Sequence, residues 1–317
     1  MEQNYVAFTR EMKPTYTILV PTMLPLHFRI LCQMFKNDGY NAVLLNDRGP
    51  EIAELGLKYV HNDTCYPALL VIGQFMKALQ SGQYDPHKVA LLLFQTGGGC
   101  RASNYISLLR KALANAGMAY VPVIPMGVAG YETHPGFQLS MGQLHKFLYA
   151  LTYGDLLMSL THQLRPRELH PGDADALADR WTDRIVAELD GARRISYPKI
   201  RKNYDRILAD FAKIPVDETK KPLPVGVVGE IYVKFSPLGN NNLEEFLLSE
   251  GAEPVVPGLT DFIIFKIYNR EADVDLYGGK WIKKKACQIF KGYVEKCQRA
   301  MIDAIKAEPR FCAPGTF

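Results

Sequence analysis

The chain has 317 residues, of which 48% are hydrophobic and 22% charged, the composition of an ordinary globular protein long enough for two domains. Its formal net charge of +4 is too small and too evenly spread to indicate a nucleic-acid partner. No run approaches the roughly 18 apolar residues of a membrane-spanning helix, and the N-terminus lacks the apolar core of a signal peptide. We therefore expect a cytoplasmic protein without a membrane partner.

The first third of the chain alternates between strand and helix signals. Continuous apolar runs predict buried strands at residues 15–21, 41–46, 88–95 and 120–125. Helices are predicted between them at residues 24–38, 67–80 and 103–116, with Pro67 in a first turn and Gly117 as a C-terminal cap. Apolar strands separated by helices indicate a parallel sheet covered by helices, so residues 1–139 are predicted to form an α/β domain.

The rest of the chain changes character twice. Residues 140–214 have the pattern of long helices without a strand signal, which predicts a helical connection over residues 140–221. After the polar, proline-containing segment 217–224, strands are predicted at 225–233 and 254–256, and helices at 243–249 and 283–307. Residues 222–317 are therefore predicted to form a second, smaller α/β domain. Its two strand signals leave open whether that sheet is complete.

A basic run lies where the last predicted helix begins. Lys280 and residues 283–285, all lysines, surround Trp281. Such a run is more typical of a solvated helix start than of a binding patch, and we predict the former.

The six cysteines are not expected to form disulfides in a cytosolic protein, so each is a core residue, a metal ligand or a reactive thiol. Cys65 and Cys100 each lie just before a predicted helix. Loops that precede helices in an open parallel sheet gather at the carboxyl edge of the strands, where ligands bind. We expect the two thiols to converge there, and we expect Cys32, Cys287 and Cys297, which lie within helical segments, to be structural.

Three interpretations compete for the stretch "FQTGGGCR", which ends in Arg101. It is a strand-to-helix turn with Cys100 as a small buried filler, a dinucleotide-binding fingerprint, or a ligand site. The fingerprint is the weakest, because it follows the third strand rather than the first and the next strand ends without a carboxylate. In a ligand site, Gly98 and Gly99 would expose backbone N–H groups to an anionic group at a helix start.

The segments around the two thiols resemble a known family. "LKYVHNDTCYPALLVIGQFMKALQSGQYD" and "FQTGGGCRASNY" are similar to the dehydratase-like region of large 2-hydroxyacyl-CoA dehydratase activase proteins. These are relatives of the 2-hydroxyglutaryl-CoA dehydratase and benzoyl-CoA reductase subunits. The resemblance continues through "FTREMK", "GVVGEIYVKFSPLGNNNLEEFLLSEGAEP" and "EPRF". It implies two flavodoxin-like α/β domains with a [4Fe–4S] cluster between them.

The resemblance also implies the ligands of that cluster. Three cysteines hold it in the family, and Cys65 and Cys100 match the first two. The third belongs to a motif resembling "PFGC", which this sequence lacks, and the family's chains continue past "EPRF", so we expect this sequence to stop early. Cys312 is the local candidate for the third ligand; the alternative is an ordinary tail residue. Asn62, Arg101 and Glu230 are predicted to surround the cluster.

The function implied is that of an iron–sulfur protein. It would accept an electron from an ATP-hydrolysing, actin-like activator and use it in reductive radical chemistry on an acyl-CoA, as a dehydratase-like or reductase-like component. A homo-oligomer is a further expected partnership. The alternative is a non-catalytic structural or electron-relay module of a larger activase, which the missing third cysteine favours. A nucleotide-binding α/β protein without iron is a third hypothesis.

Overall fold

The computed structural model describes residues 5–95, 100–127, 132–190 and 195–315. The chain divides into two compact units. Unit 1 contains Met1–Ser140 and Glu230–Asn242, and unit 2 contains Met141–Gly229 and Leu243–Phe317. Within the described residues, no helix combines the length and the apolar character needed to cross a membrane.

A four-stranded parallel sheet forms the centre of unit 1. Its strands follow the order β2-β1-β3-β4, and Ile18 of the first strand lies opposite Ala42 and Ala90. The runs are almost entirely apolar because both faces are buried. The predicted α/β class is therefore confirmed, and the sheet is consistent with a flavodoxin-like domain. The strands are β1 (Thr17–Pro21), β2 (Asn41–Leu45), β3 (Val89–Phe94) and β4 (Val123–Met126).

The helices of unit 1 begin and end close to their predicted bounds. Gly117 has a φ of +73°, and the N–H of Met118 donates to the carbonyl of Leu113, which closes the last helix of the sheet domain as predicted. One helix between the second and third strands was not predicted. The helices are α1 (Pro25–Asn37), α2 (Pro50–Tyr59, the unpredicted one), α3 (Tyr66–Gln80) and α4 (Tyr105–Asn115), with short 3-10 helices at Pro86–Lys88 and Arg101–Asn104.

Helices α2 and α3 touch backbone to backbone at two glycines. A Cβ atom on Gly73 would lie 2.0 Å from the carbonyl oxygen of Ile52, and one on Gly56 would lie 2.2 Å from that of Leu69. No side chain fits at either position. This contact holds the turn between the two helices, which carries Cys65, against the core of unit 1.

Unit 2 is mainly helical and contains a small parallel pair of strands. The long helices predicted over residues 140–214 are confirmed. The carboxylate of Asp155 accepts hydrogen bonds from the N–H groups of Leu259 and Thr260, at 2.7 and 2.9 Å, and so satisfies the start of a helix that was not predicted. The elements are α5 (Met141–Leu164), α6 (Asp173–Asp190), α7 (Tyr197–Phe211), β5 (Pro224–Gly226), then α8 (Ile231–Phe235) in unit 1, and α9 (Leu243–Ser249), β6 (Glu253–Val255), α10 (Leu259–Tyr277) and α11 (Trp281–Ala307).

The strand predicted at residues 225–233 is wrong beyond Gly226. Gly229 has a φ of +135°, and the carboxylate of Glu230 accepts hydrogen bonds from the N–H groups of Tyr232 and Val233, both at 3.1 Å. This side-chain cap begins helix α8 where the apolar pattern alone indicates a strand. The structure also groups the chain differently from the predicted division at 139 and 221, because the segment that carries α8 belongs to unit 1.

Candidate functional site

The strand order of unit 1 creates a position where a ligand can bind. The chain crosses from β1 to β2 on one side and reaches β3 on the other, so the carboxyl ends of β1 and β3 flank a topological switch point. Cys100 follows β3 in the chain. The glycine run between them, which includes the predicted cofactor-binding Gly98 and Gly99, lies outside the described residues.

Cys65 is the N-terminal cap residue of α3, as its place in the sequence predicts. Its carbonyl accepts the N–H of Ala68 at 3.0 Å, and its half-buried side chain packs against the core of unit 1. The positive end of a helix stabilises negative charge at this position. Cys65 therefore lies at the edge of the core, at a helix start, rather than fully inside it.

Cys100 is the cap residue of the 3-10 helix that leads into α4. Its side chain is exposed, and its carbonyl accepts the hydroxyl of Ser103 at 2.8 Å. The guanidinium of Arg101 donates to the carbonyl oxygen of Asp63 at 2.9 Å. This bond connects the Cys100 loop directly to the turn that carries Cys65.

The hydroxyl of Tyr105 is affected by the charges of both thiols and contacts one of them. It is 2.8 Å from the sulfur of Cys65. Burial raises the pKa of Tyr105, and the hydrogen bond to Cys65 and the charges of Cys65, Cys100 and Glu230 raise it further. The phenol therefore stays protonated at neutral pH, and it shares a hydrogen bond with the sulfur in which either group can be the donor. Sequence analysis missed this residue; its place at the start of a helix, five residues after Cys100, is the signal that could have identified it.

Glu230 lies in unit 1, close enough to Tyr105 for its charge to raise that tyrosine's pKa. Its carboxylate caps helix α8, and Tyr232 in that helix belongs to the core cluster around Cys65. The residue therefore serves a structural role and also contributes negative charge near the thiols. Glu230 belongs to a segment, Glu230–Asn242, that is distant in sequence from the other residues of unit 1.

The predicted asparagines take different places. Asn62 lies in the turn before Cys65 with an exposed side chain. Asn241 and Asn242 have φ values of +55° and +58°, the left-handed conformation that asparagine tolerates. The amide oxygen of Asn242 accepts a hydrogen bond from Arg48 at 2.6 Å. The asparagine run therefore forms a turn.

Cys312 belongs to unit 2 and is held there by its backbone. Its N–H donates to the side-chain oxygen of Gln163 at 2.7 Å, and its carbonyl accepts from the nitrogen of the same amide at 3.0 Å. The neighbouring Phe311 is buried, and Arg310 donates to the carbonyls of Ala212 and Ile214. These hydrogen bonds hold the segment within unit 2.

The remaining cysteines divide by burial. Cys32 and Cys297 are buried, and burial raises the pKa of the Cys32 thiol to about 12. Cys287 is half-buried within α11. The prediction that Cys32 is a core residue is confirmed.

The donor set fits part of a metal centre. In unit 1, Arg101 joins the Cys100 loop to the turn that carries Cys65, and the hydroxyl of Tyr105 contacts the Cys65 sulfur. Across the described part of the chain, no group of three or more His, Cys, Asp or Glu side chains could hold a metal ion. The described residues therefore offer two candidate thiols in unit 1, and they do not assemble a set of three ligands.

Comparisons with protein-family models, with curated proteins and with solved structures found no match for this chain. The resemblance to the dehydratase activase family therefore stays a prediction, carried by the sequence motifs.

Proposed function

We propose that this chain is an iron–sulfur protein that binds a [4Fe–4S] cluster through Cys65 and Cys100. It passes low-potential electrons from an ATP-hydrolysing, actin-like activator to an acyl-CoA or similar substrate. The observation that carries this proposal is the pair of thiols, each at a helix start, around the hydroxyl of Tyr105. Two cysteines from separate loops that share one rim are typical of a ligand site rather than of core filling.

The residues of unit 1 have distinct roles in this proposal. The thiolates of Cys65 and Cys100 hold iron, and a bound cluster supplies one-electron transfer. The hydroxyl of Tyr105 donates to the sulfur of Cys65, which withdraws charge from that ligand and favours the reduced state. Arg101 fixes the distance between the two loops through Asp63. The buried cluster behind Cys65 excludes water from one side.

An electron-relay module without its own catalysis is the second candidate. It is supported by the two-thiol donor set, because the described residues supply no third ligand. Cys312 distinguishes the two candidates, because a third thiolate from this residue would complete a catalytic site and its absence as a ligand would leave a two-thiol relay.

Anaerobic reconstitution of the full chain with ferrous iron and sulfide tests the proposal. We expect bound iron and acid-labile sulfide with a visible cluster absorbance in the wild type, and loss of all three in Cys65→Ser and in Cys100→Ser. The matched control is Cys287→Ser, a half-buried thiol in unit 2, which keeps the cluster. A cluster that disappears in Cys312→Ala supports the catalytic site, and one that persists supports the relay. A wild type that binds no iron refutes both.

A further inference from the structure

The turn between α10 and α11 exposes large apolar side chains. Leu276 and Tyr277 end α10 with 73% and 83% of their surface exposed, and Trp281 and Ile282 begin α11 at 67% and 71%. We call residues 276–285 the tip. Four large apolar side chains this close together are rarely left in water, and such patches mark interaction sites.

The tip is a narrow turn with solvent on its sides. Gly278 has a φ of +78°, which ends α10, and only residues 278–280 separate the two helices. Every residue from 275 to 286 is exposed except Lys284. The apolar side chains therefore lie at the exposed end of a helical hairpin, which suits insertion into a lipid surface.

The tip also carries uncompensated positive charge. Lys284 forms an ion pair with Asp275. In the described part of the chain, the side chains of Lys280, Lys283 and Lys285 have no ion-pair partner. Three free ammonium groups thus surround the exposed Trp281, and a partner of negative charge complements them.

An anionic lipid surface satisfies both features at once. Tryptophan and tyrosine concentrate at the boundary between lipid headgroups and acyl chains, and lysines near them bind anionic headgroups. A second copy of the chain fits less well, because two tips would bring like charges together. Lysine stems can also lie along the apolar layer while their charges reach the phosphates.

We propose that the tip docks this chain onto an anionic lipid surface. Leu276, Tyr277, Trp281 and Ile282 enter the interface between headgroups and acyl chains, and the three unpaired lysines lie over the lipid phosphates. This contact differs from a membrane span, since it uses only the end of a helical hairpin. It revises the interpretation of the basic run as a simple solvated helix start, and it is independent of the iron–sulfur proposal.

The two tryptophans of the chain allow a direct test. Trp181 is 2% exposed and Trp281 is 67% exposed. These are the two tryptophans of the sequence, so in Trp181→Phe the tryptophan fluorescence comes from the tip alone. We expect a blue shift and a higher intensity when vesicles of phosphatidylcholine with phosphatidylglycerol are added. Pure phosphatidylcholine vesicles should give little change. High salt should reverse the binding, because it screens the lysines.

Matched charge variants sharpen the test in vesicle flotation. Lys283→Gln with Lys285→Gln should lower the partition coefficient about 25-fold, at roughly fivefold for each lysine. The control is Lys220→Gln with Lys221→Gln, two exposed lysines elsewhere in unit 2, which should bind like the wild type. For the apolar part, Trp281→Ala should lose binding, and Val228→Ser, which changes another exposed apolar residue, should not.

Three results would overturn the proposal. The first is an unchanged Trp281 spectrum with anionic vesicles. The second is equal loss of binding in the Lys220 and Lys221 control. The third is self-association in solution that Trp281→Ala abolishes while vesicle binding stays absent, since this would assign the tip to a second copy or another protein.

Discussion

Each unit contains a cysteine that contacts a tyrosine hydroxyl, and the two cysteines differ in their exposure to solvent. In unit 1, Cys65 is half-buried and shares a hydrogen bond with Tyr105, whose pKa the charge of the exposed Cys100 also raises. In unit 2, Cys297 is 1% exposed and lies against Tyr149 and Tyr293. The same chemical pair therefore makes a candidate ligand in one place and a core contact in the other, and access from solvent decides between them.

In unit 2, Cys297 belongs to a hydrogen-bond network with Tyr149, Tyr293 and His145. The hydroxyls of Tyr149 and Tyr293 are 2.6 Å apart, and His145 is 2.5 Å from Tyr293. Burial raises the pKa of Cys297, although the hydrogen bond from Tyr293 opposes it, and burial also raises the pKa of Tyr149. These groups stay protonated at neutral pH, so the network holds α5 and α11 together rather than offering a reactive thiol.

The largest effect expected from this comparison is in thiol reactivity. Iodoacetamide added to the native chain should modify Cys100 and Cys312 first. Cys297 should react at least about 100-fold more slowly, because a buried thiol reacts only when the surrounding structure opens. Peptide mass spectrometry over time measures each site. Cys65 should fall between the two groups. If Cys297 reacts as fast as Cys100, the distinction between the two sites fails.

The next largest effect is expected from glycine substitutions, which should change the free energy of unfolding differently in the two units. Gly73→Ala places a methyl group 2.0 Å from the carbonyl oxygen of Ile52, so we expect it to lower the free energy of unfolding by about 3 kcal/mol, the upper end of overpacking costs. The control is Gly292→Ala in α11, where nothing lies within 4 Å of the new atom. That change should stabilise the chain by up to about 1 kcal/mol. Urea unfolding measures both, and equal effects would argue against the tight contact of α2 with α3.

Removing one hydroxyl should affect unit 2 more than unit 1. Tyr293→Phe breaks the contacts with both His145 and Tyr149, so we expect a loss of about 2 kcal/mol at roughly 1 kcal/mol for each hydrogen bond. Tyr105→Phe removes one bond to a half-buried sulfur and should cost about 1 kcal/mol or less. Urea unfolding of both variants tests the order. A larger loss in Tyr105→Phe would mean that the hydroxyl is mainly structural.

The smallest expected effect is the pH dependence of stability that His134 contributes in unit 1. His134 accepts the N–H of Phe8 through Nδ1 at 3.1 Å, so the ring is neutral. Burial lowers the pKa of His134 despite the neighbouring Glu132, which Arg110 also binds. The unfolded chain then binds more protons, so stability should fall as pH drops below about 6.5. The pKa values of Cys297, Tyr149 and Tyr293 in unit 2 are raised from ordinary values already above this range, so these three groups stay protonated throughout it.

Urea unfolding at about pH 7.5 and about pH 5.5, on either side of the ordinary histidine pKa, measures this dependence. His134→Gln should reduce the difference between the two conditions. An unchanged difference in that variant would assign the acid sensitivity to other groups.

The sequence alone determined the elements that rest on local patterns. Continuous apolar runs predict the four strands of unit 1, because both faces of a parallel sheet are buried. The start of α3 just after Cys65 and the end of α4 before Gly117 follow from chemistry that acts within a few residues, because proline suits a first helical turn and glycine adopts the positive φ of a helix end. These are the parts of the site that a reader of the chain could name beforehand.

Tertiary structure decided everything that depends on distant partners. Helix α10 was missed because its run "FIIFKIY" has no helical periodicity, and the cap from Asp155, about a hundred residues away, is invisible locally. The return of residues 230–242 to unit 1, which brings Glu230 towards Tyr105, is likewise a matter of packing. So is the exposure of Trp281. Burial and long-range contact are properties of the assembled surface, and a residue's neighbours in the chain do not specify them.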